Sequence, residues 1–226
     1  MTAADFATWT LEREGAVLRP GAALPVLPAL EAAIAGLPSD LAGIRIRGLP
    51  AIPELLVAGP IVEVARDLLG DEARPVRAIL FDKSDAANWA LTWHQDRTIT
   101  VRERVAVAGF GPWTVKQGIL HVAPPFWLLA AMVTLRVHLD PVPMDNAPLC
   151  IAPGSHRLGL VADRDAERAA LQSGVAACLA EAGDIWGYAT PILHASARAE
   201  AGQRRRVLQI DYAATALPGG LEWSGI

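Results

Sequence analysis

Cysteine is almost missing from this chain: among 226 residues only Cys150 and Cys178 carry a thiol. Each sits in an apolar run and neither belongs to a Cys-x-x-Cys pair. Nothing therefore supports a disulfide framework, and two buried free thiols in a reducing compartment are expected. Basic clusters are equally scarce. The formal net charge is −4 and the only dense cationic run is Arg204-Arg205-Arg206, which leaves no electrostatic footprint for nucleic acid. Long apolar runs are also lacking, since the longest, Val122 to Leu135, is interrupted by Pro124 and Pro125 and falls short of a membrane span. The first residues, Met1 to Trp9, hold an acid at Asp5 and no cationic region leading into an apolar one, so no secretory signal is read there. A soluble, cytoplasmic protein with a small-molecule partner, no nucleic acid and no membrane, is the expectation.

What remains is ample for a core. With 52% hydrophobic and 19% charged residues, no internal repeats and no low-complexity linkers, residues 1–226 are expected to form a single domain. The first third, about 1–74, reads as mostly helical, with helices over Asp5 to Glu14, Val26 to Leu37 and Pro60 to Gly70 and short strands at Ala16 to Arg19 and Ile44 to Arg47. From Pro75 onward, short β-rich runs alternate with Gly, Pro, Asn and Asp, as in sandwiches and barrels. Strands are expected at 76–83, around His94, at 101–108, 115–121, 133–139, 148–152 and 203–213, a helix over Asp163 to Leu171, and a hairpin pairing 175–180 with 184–189. On the strand 133–139, Thr134, Arg136 and His138 share one face. That face is either solvated or the lining of a polar pocket.

The stretch with the clearest chemistry is Trp93-His94-Gln95-Asp96. In an extended strand side chains repeat with period two, so His94 and Asp96 share a face and can grip one metal ion. Two imidazoles and one carboxylate cap one face of an octahedron and leave the opposite positions open, which suits non-haem Fe(II). A lone His-x-Asp triplet is common by chance, and the third ligand has to come from elsewhere.

Several stretches taken together resemble the phytanoyl-CoA dioxygenase family of Fe(II)- and 2-oxoglutarate-dependent oxygenases. They are Trp93-His94-Gln95-Asp96, Asn146-Ala147-Pro148-Leu149 running into Ala152-Pro153-Gly154-Ser155-His156, Glu181-Ala182-Gly183-Asp184, and His194-Ala195-Ser196 with Arg205 eleven residues after His194. The resemblance implies a mainly β fold with flanking α-helices, a double-stranded β-helix or jelly-roll barrel. It implies His94, Asp96 and His194 as iron ligands. It implies Arg205 and Ser196 at the distal carboxylate of 2-oxoglutarate, with Lys83 and Thr134 as further co-substrate candidates. Arg205 suits that task because a guanidinium meets a carboxylate with two parallel hydrogen bonds. The implied reaction takes up O2, turns 2-oxoglutarate into succinate and CO2, and hydroxylates a small molecule. An aspartate at position 96 leaves no vacancy for a halide, so hydroxylation is expected over halogenation.

Around that set, Trp93 either walls the substrate pocket or packs, Asn88 and Arg136 are candidates to reach substrate, and Arg204 and Arg206 read as a solvated face. His121, His138 and His156 read as structural or surface residues. One departure from the family pattern is Ala147, where glycine is usual, and a local difference in that loop follows. Two readings from other classes stay open at this stage: a Zn(II) hydrolase or isomerase on the same ligands, and a catalytically silent metal-binding module.

Overall fold

A computed structural model describes residues 6–226. The first part contains strand β1 (Ala16–Arg19), helix α1 (Leu27–Ile34), β2 (Ile44–Arg45), α2 (Ala51–Val57) and α3 (Pro60–Leu69). Then come β3 (Arg74–Lys83), β4 (Leu91–His94), β5 (Ile99–Thr100), β6 (Trp113–Lys116), β7 (Ile119–Val122), α4 (Phe126–Ala130) and β8 (Met132–His138). The chain ends with β9 (Leu149–Ile151), α5 (Ala166–Ser173), β10 (Ala176–Cys178), β11 (Ile185–Ala189), β12 (His194–Ser196) and β13 (Arg205–Ala213). Among the described residues no helix is long and apolar enough to cross a membrane.

A six-stranded antiparallel sheet ordered β1-β11-β8-β13-β3-β2 lies against a four-stranded sheet ordered β10-β9-β12-β4, and a small sheet β5-β7-β6 flanks them. The chain switches sheet repeatedly, from β3 to β4, from β8 to β9, and from β10 through β11 and β12 to β13. That is the double-stranded β-helix, or jelly roll.

Alternation along the strands builds two cores. On the outer face of the large sheet, Leu80, Leu135, Val137, Leu208 and Ile210 pack on Leu30, Ile34, Ile52, Leu56 and Ile61 of α1 to α3. Each such buried side chain stabilises the fold by about 1.5–3 kcal/mol relative to exposure. On the inner face, Trp186 and Tyr188 pack on Leu149, Ile151 and Phe6 and close one end of the barrel. Every residue of β8 is consequently buried, so the polar face carrying Thr134, Arg136 and His138 belongs to the barrel interior.

Four local expectations give way. Of the helix expected over Asp5 to Glu14, Asp5 lies outside the described residues and the rest is turns, pinned where the Thr10 and Glu14 side chains cap nearby N–H groups. Residues 101–108 form no strand beyond a bridge from Val101 to Trp223. Residues 113–122 make a hairpin whose turn residues, Gln117 (φ 50°) and Gly118 (φ 74°), are both left-handed; that is the turn whose twist matches its strands. Finally, β10 and β11 do not pair with each other: β10 pairs with β9, and β11 lies between β1 and β8 in the other sheet.

Candidate metal centre

β4 and β12 set the imidazoles of His94 and His194 opposite each other in one register, with ring centroids 4.3 Å apart. Asp96 follows two residues beyond the end of β4. One ligand atom from each of His94, Asp96 and His194 falls within 4.8 Å of the others. Both rings are prepared for a cation. His94 Nδ1 donates to the Thr92 carbonyl at 2.7 Å and His194 Nδ1 to the Ile192 carbonyl at 2.9 Å, so each Nε2 keeps its lone pair free. Burial pushes His194 down to about 4 against the opposing pull of Asp96, so its imidazole is neutral at pH 7, as a ligand must be. Burial alone would raise Asp96; the charges of Arg77, His194, His94 and Arg136 outweigh it and hold the carboxyl below its ordinary range.

The carboxylate is braced from behind. Arg77 Nη2 lies 3.6 Å from Asp96 while its Nε donates to Asp211 at 2.6 Å. Thr134 in turn donates to Asp211 at 3.0 Å and sits 3.1 Å from the Thr190 hydroxyl. Thr134 thus serves this brace and does not line the cleft, a correction to its expected place at the co-substrate. Gln209 Nε2 reaches Asp96 at 3.4 Å. Gln95, between the two ligands, points the other way. Its amide donates to the carbonyls of Gly159 and Pro191 and its oxygen accepts from Val161 N–H, which ties two loops to the ligand stretch. Neither Gln209 nor Gln95 stands out in sequence, because the partners just named lie 64 or more positions away.

A cleft with about 410 Å³ of free space runs from the ligands into the barrel, past Lys83, Ser196, Arg136 and Arg205. Lys83 is fully buried; its ammonium donates to Ser196 Oγ at 2.8 Å and to the Ala197 carbonyl. Burial, with Arg205 and Arg136 nearby, pushes it down to about 7. Arg205 donates through Nη1 to the Ala147 carbonyl, keeps a buried Nε with no acceptor, and is brought to about 9 by burial and Arg136. Arg136 donates to Gln209 at 2.9 Å and lies 5.5 Å from the Phe81 ring. None of these three cations has a carboxylate within ion-pair distance among the described residues. Buried charges without a counter-charge are destabilising, so the cleft is built for an anion. Arg204 and Arg206 leave on the opposite side. They are not merely solvated: Arg204 forks onto Asp82, and Arg206 onto Asp140, with Glu31 at 3.0 Å.

Two substrate-pocket candidates lie elsewhere. Trp93 packs with Leu193 and with Ala170 of α5 on the outer side of the four-stranded sheet. Asn88 exchanges hydrogen bonds with the backbone of Ala199, at 2.8 and 3.0 Å. The cleft wall is made instead by Phe81, Trp89 and Leu91. Leu91 faces the cleft together with His94, three residues on, because a bulge sets Ser196 opposite Leu91 instead of Thr92. Bulges re-aim side chains beside sites in this way. Ala147 holds the left-handed conformation, φ 46°, that a glycine would adopt. His121 and His138 are buried and His156 packs beneath Gly15; none of the three lines this cleft.

Fold and site together define a family. The model for phytanoyl-CoA dioxygenase (PhyH) matches residues 54–207, more than half of the chain, and the chain belongs to that family. No curated protein matches it by sequence. Among solved structures it is similar to EctD from S. alaskensis with 2-oxoglutarate and 5-hydroxyectoine (18% identity, TM-score 0.64, covering 94% of this chain and 76% of that one). It is also similar to HygX from Streptomyces hygroscopicus with nickel, 2-oxoglutarate and hygromycin B (16%, 0.61, 90% and 84%). A third is the non-heme alpha ketoglutarate dependent epimerase SnoN from nogalamycin biosynthesis (17%, 0.65, 93% and 80%). At these identities the likeness establishes the fold.

Proposed function

We propose that the protein is an Fe(II)- and 2-oxoglutarate-dependent dioxygenase that hydroxylates a small molecule. The observation that carries this reading is the pairing of a two-imidazole, one-carboxylate cluster with a buried group of cations that have no counter-charge. His94, Asp96 and His194 would hold Fe(II), and the donor set fits: both Nε2 atoms are free and the carboxylate accepts only long contacts. Arg205, Lys83 and Ser196 would hold the distal carboxylate of 2-oxoglutarate, a dianion that supplies the charge this cleft lacks. Similar proteins have been captured with iron, and with nickel and 2-oxoglutarate. When bound, iron and 2-oxoglutarate supply oxidative decarboxylation with O2 and oxidation of a nearby C–H bond.

The chain's own residues do the positioning. The backbone-anchored imidazoles fix the ligand plane. Arg77 and Gln209 restrain the carboxylate, and Phe81, Trp89 and Leu91 give the substrate side of the cleft an apolar wall. An aspartate at position 96 favours hydroxylation because the coordination place is filled. The uncompensated cations speak against a zinc hydrolase, which has no use for a dianion there.

The test is aerobic consumption of 2-oxoglutarate by the iron-loaded protein, with succinate as the measured product. His94→Ala, Asp96→Ala and His194→Ala should each abolish it while the circular dichroism of the barrel persists. Near wild-type succinate formation by Asp96→Ala would overturn the assignment, and zinc-supported turnover without O2 would replace it. A product of unchanged composition and inverted configuration would identify an epimerase instead.

A further inference from the structure

Outward from the metal ligands the cleft opens into a wider mouth of about 1170 Å³, bounded by residues 42–45, the link from β4 to β5 and the tip of the β6–β7 hairpin. Register decides what faces it. Ile44 lies opposite Leu80 and packs toward the helices, whereas Arg45 lies opposite Ile79, on the face that also carries Arg77 and Phe81. The hairpin tip is tied to this edge: Gln117 Oε1 accepts from the Arg45 N–H at 3.0 Å and its amide donates to the Gly43 carbonyl at 2.9 Å. That tie brings Lys116 into the same mouth.

Four cations line the mouth and two are already engaged. Arg77 meets Asp211 and Asp96, and Arg97 meets Asp163 at 2.8 Å and the Val161 carbonyl. Asp163 is thereby occupied, and Asp96 is turned to the metal. Arg45 and Lys116 have no acidic partner among the described residues, and the buried Nε of Arg45 has no acceptor at all. Burial and the neighbouring Arg77 charge both weigh against the Arg45 guanidinium. A half-buried, unpaired guanidinium beside a second one is destabilising until an anion reaches it. Between these cations and the metal ligands stand Phe81, Trp89 and Leu91.

We infer that the substrate is a small organic anion, with its acid group held by Arg45 and Lys116 at the mouth and its apolar body laid along Phe81, Trp89 and Leu91 toward the metal. This placement rests on the reading of the inner cleft as the 2-oxoglutarate site. The acid group is a carboxylate or a phosphoryl group, which share this recognition chemistry.

The experiment uses the full chain loaded with Zn(II), a diamagnetic stand-in that leaves nearby NMR signals sharp, and 2-oxoglutarate, so that the inner cations are occupied. Acetate, methyl phosphate and neutral acetamide are titrated while the indole N–H signal of Trp89 is followed by NMR. At least one anion should bind saturably and acetamide should not. The tighter of acetate and methyl phosphate names the acid group. Arg45→Gln combined with Lys116→Gln should weaken that anion at least tenfold, and Lys116→Gln alone, at an exposed position that cannot unfold the barrel, should weaken it by a smaller factor. The affinity for 2-oxoglutarate should not change. The inference is overturned if neither anion saturates, if acetamide matches them, or if the double variant binds the anion as well as the wild type. Failure of 2-oxoglutarate itself to bind on the same samples would overturn the proposed function instead.

Discussion

Three consecutive arginines divide their work by direction. Arg205 points into the barrel, where its Nε has no acceptor, while Arg204 and Arg206 reach carboxylates outside. Removing an inward cation strands the co-substrate carboxylate in a desolvated cleft, so Arg205→Ala should weaken 2-oxoglutarate binding by about two orders of magnitude. Arg204→Ala and Arg206→Ala should leave that affinity alone and appear in stability. Arg204 is 54% exposed but its loss would strand the buried Asp82 carboxylate, so it should contribute about 1–3 kcal/mol. Arg206, 22% exposed and bonded to two acids, should contribute about 1–3 kcal/mol. Saturation by 2-oxoglutarate and urea unfolding of the three variants check both halves. Lys83 adds a pH dependence. In the unfolded chain it keeps its proton to about 10.5, but in the ligand-free fold only to about 7. The unfolded state therefore holds the extra proton between these values, and ligand-free stability should rise with pH across that window. A bound carboxylate favours the ammonium, so 2-oxoglutarate binding should take up a proton and weaken as pH rises above 7; calorimetry in two buffers reads this, and Lys83→Met should flatten the slope. At Ala147 opposing effects nearly cancel. The left-handed backbone costs an alanine about 1–2 kcal/mol, whereas glycine would lose about 0.8 kcal/mol of methyl burial and about 0.4–1 kcal/mol in unfolded-chain entropy. Ala147→Gly should therefore change stability by under about 1 kcal/mol, which accounts for alanine in a glycine conformation.

Among the elements, β8 and β13 act as a pair: Thr134 holds Asp211, Asp211 holds Arg77, and Arg77 approaches Asp96. Breaking the middle of this chain frees Arg77 to pull on the metal carboxylate. Asp211→Asn should lower Mn(II) affinity by about 10–100-fold, the usual effect of losing such a partner, and Thr134→Val by less. Titration of the metal alone measures this, and unchanged affinity in Asp211→Asn would show that the brace has no bearing on the site. These elements also separate what was legible in sequence from what was not. His94 and Asp96 stood out through their period-two spacing, whereas His194 and Arg205 were reached only through the family resemblance; the structure gathers the first three and turns Arg205 into the same cleft. The brace, the Gln95 tie and the position of Leu91 were not legible, since each depends on a long-range partner or on a bulge that shifts alternation by one residue. The expected β10–β11 hairpin failed because nearness in sequence favours local pairing, whereas the jelly roll sends successive strands to opposite sheets. Alternation placed Thr134 and Arg136 on one face together but could not say that this face is interior, nor that of the two only Arg136 reaches the cleft.

At the scale of the molecule, the ligand-free barrel encloses a cluster of cations that no carboxylate among the described residues neutralises. Metal and co-substrate bind only the folded form, so both should stabilise it. At about 100 times the dissociation constant a ligand adds about 2.7 kcal/mol. For a chain of this size that is roughly 5–10 °C in Tm, and Mn(II) with 2-oxoglutarate should exceed either alone in a thermal melt. The ligand strand has a further consequence. β4 is an outer strand of the four-stranded sheet with a single neighbour, β12, and an irregular ladder. Its amides are accordingly readier than those of interior strands to open and trade hydrogen for deuterium with solvent. An ion held by His94, Asp96 and His194 would act as a clasp across that margin, so the proposed catalytic centre would also finish the wall around it. Isotope exchange over residues 91–96 should slow sharply once Mn(II) is added, and hardly at all in the interior strand β8.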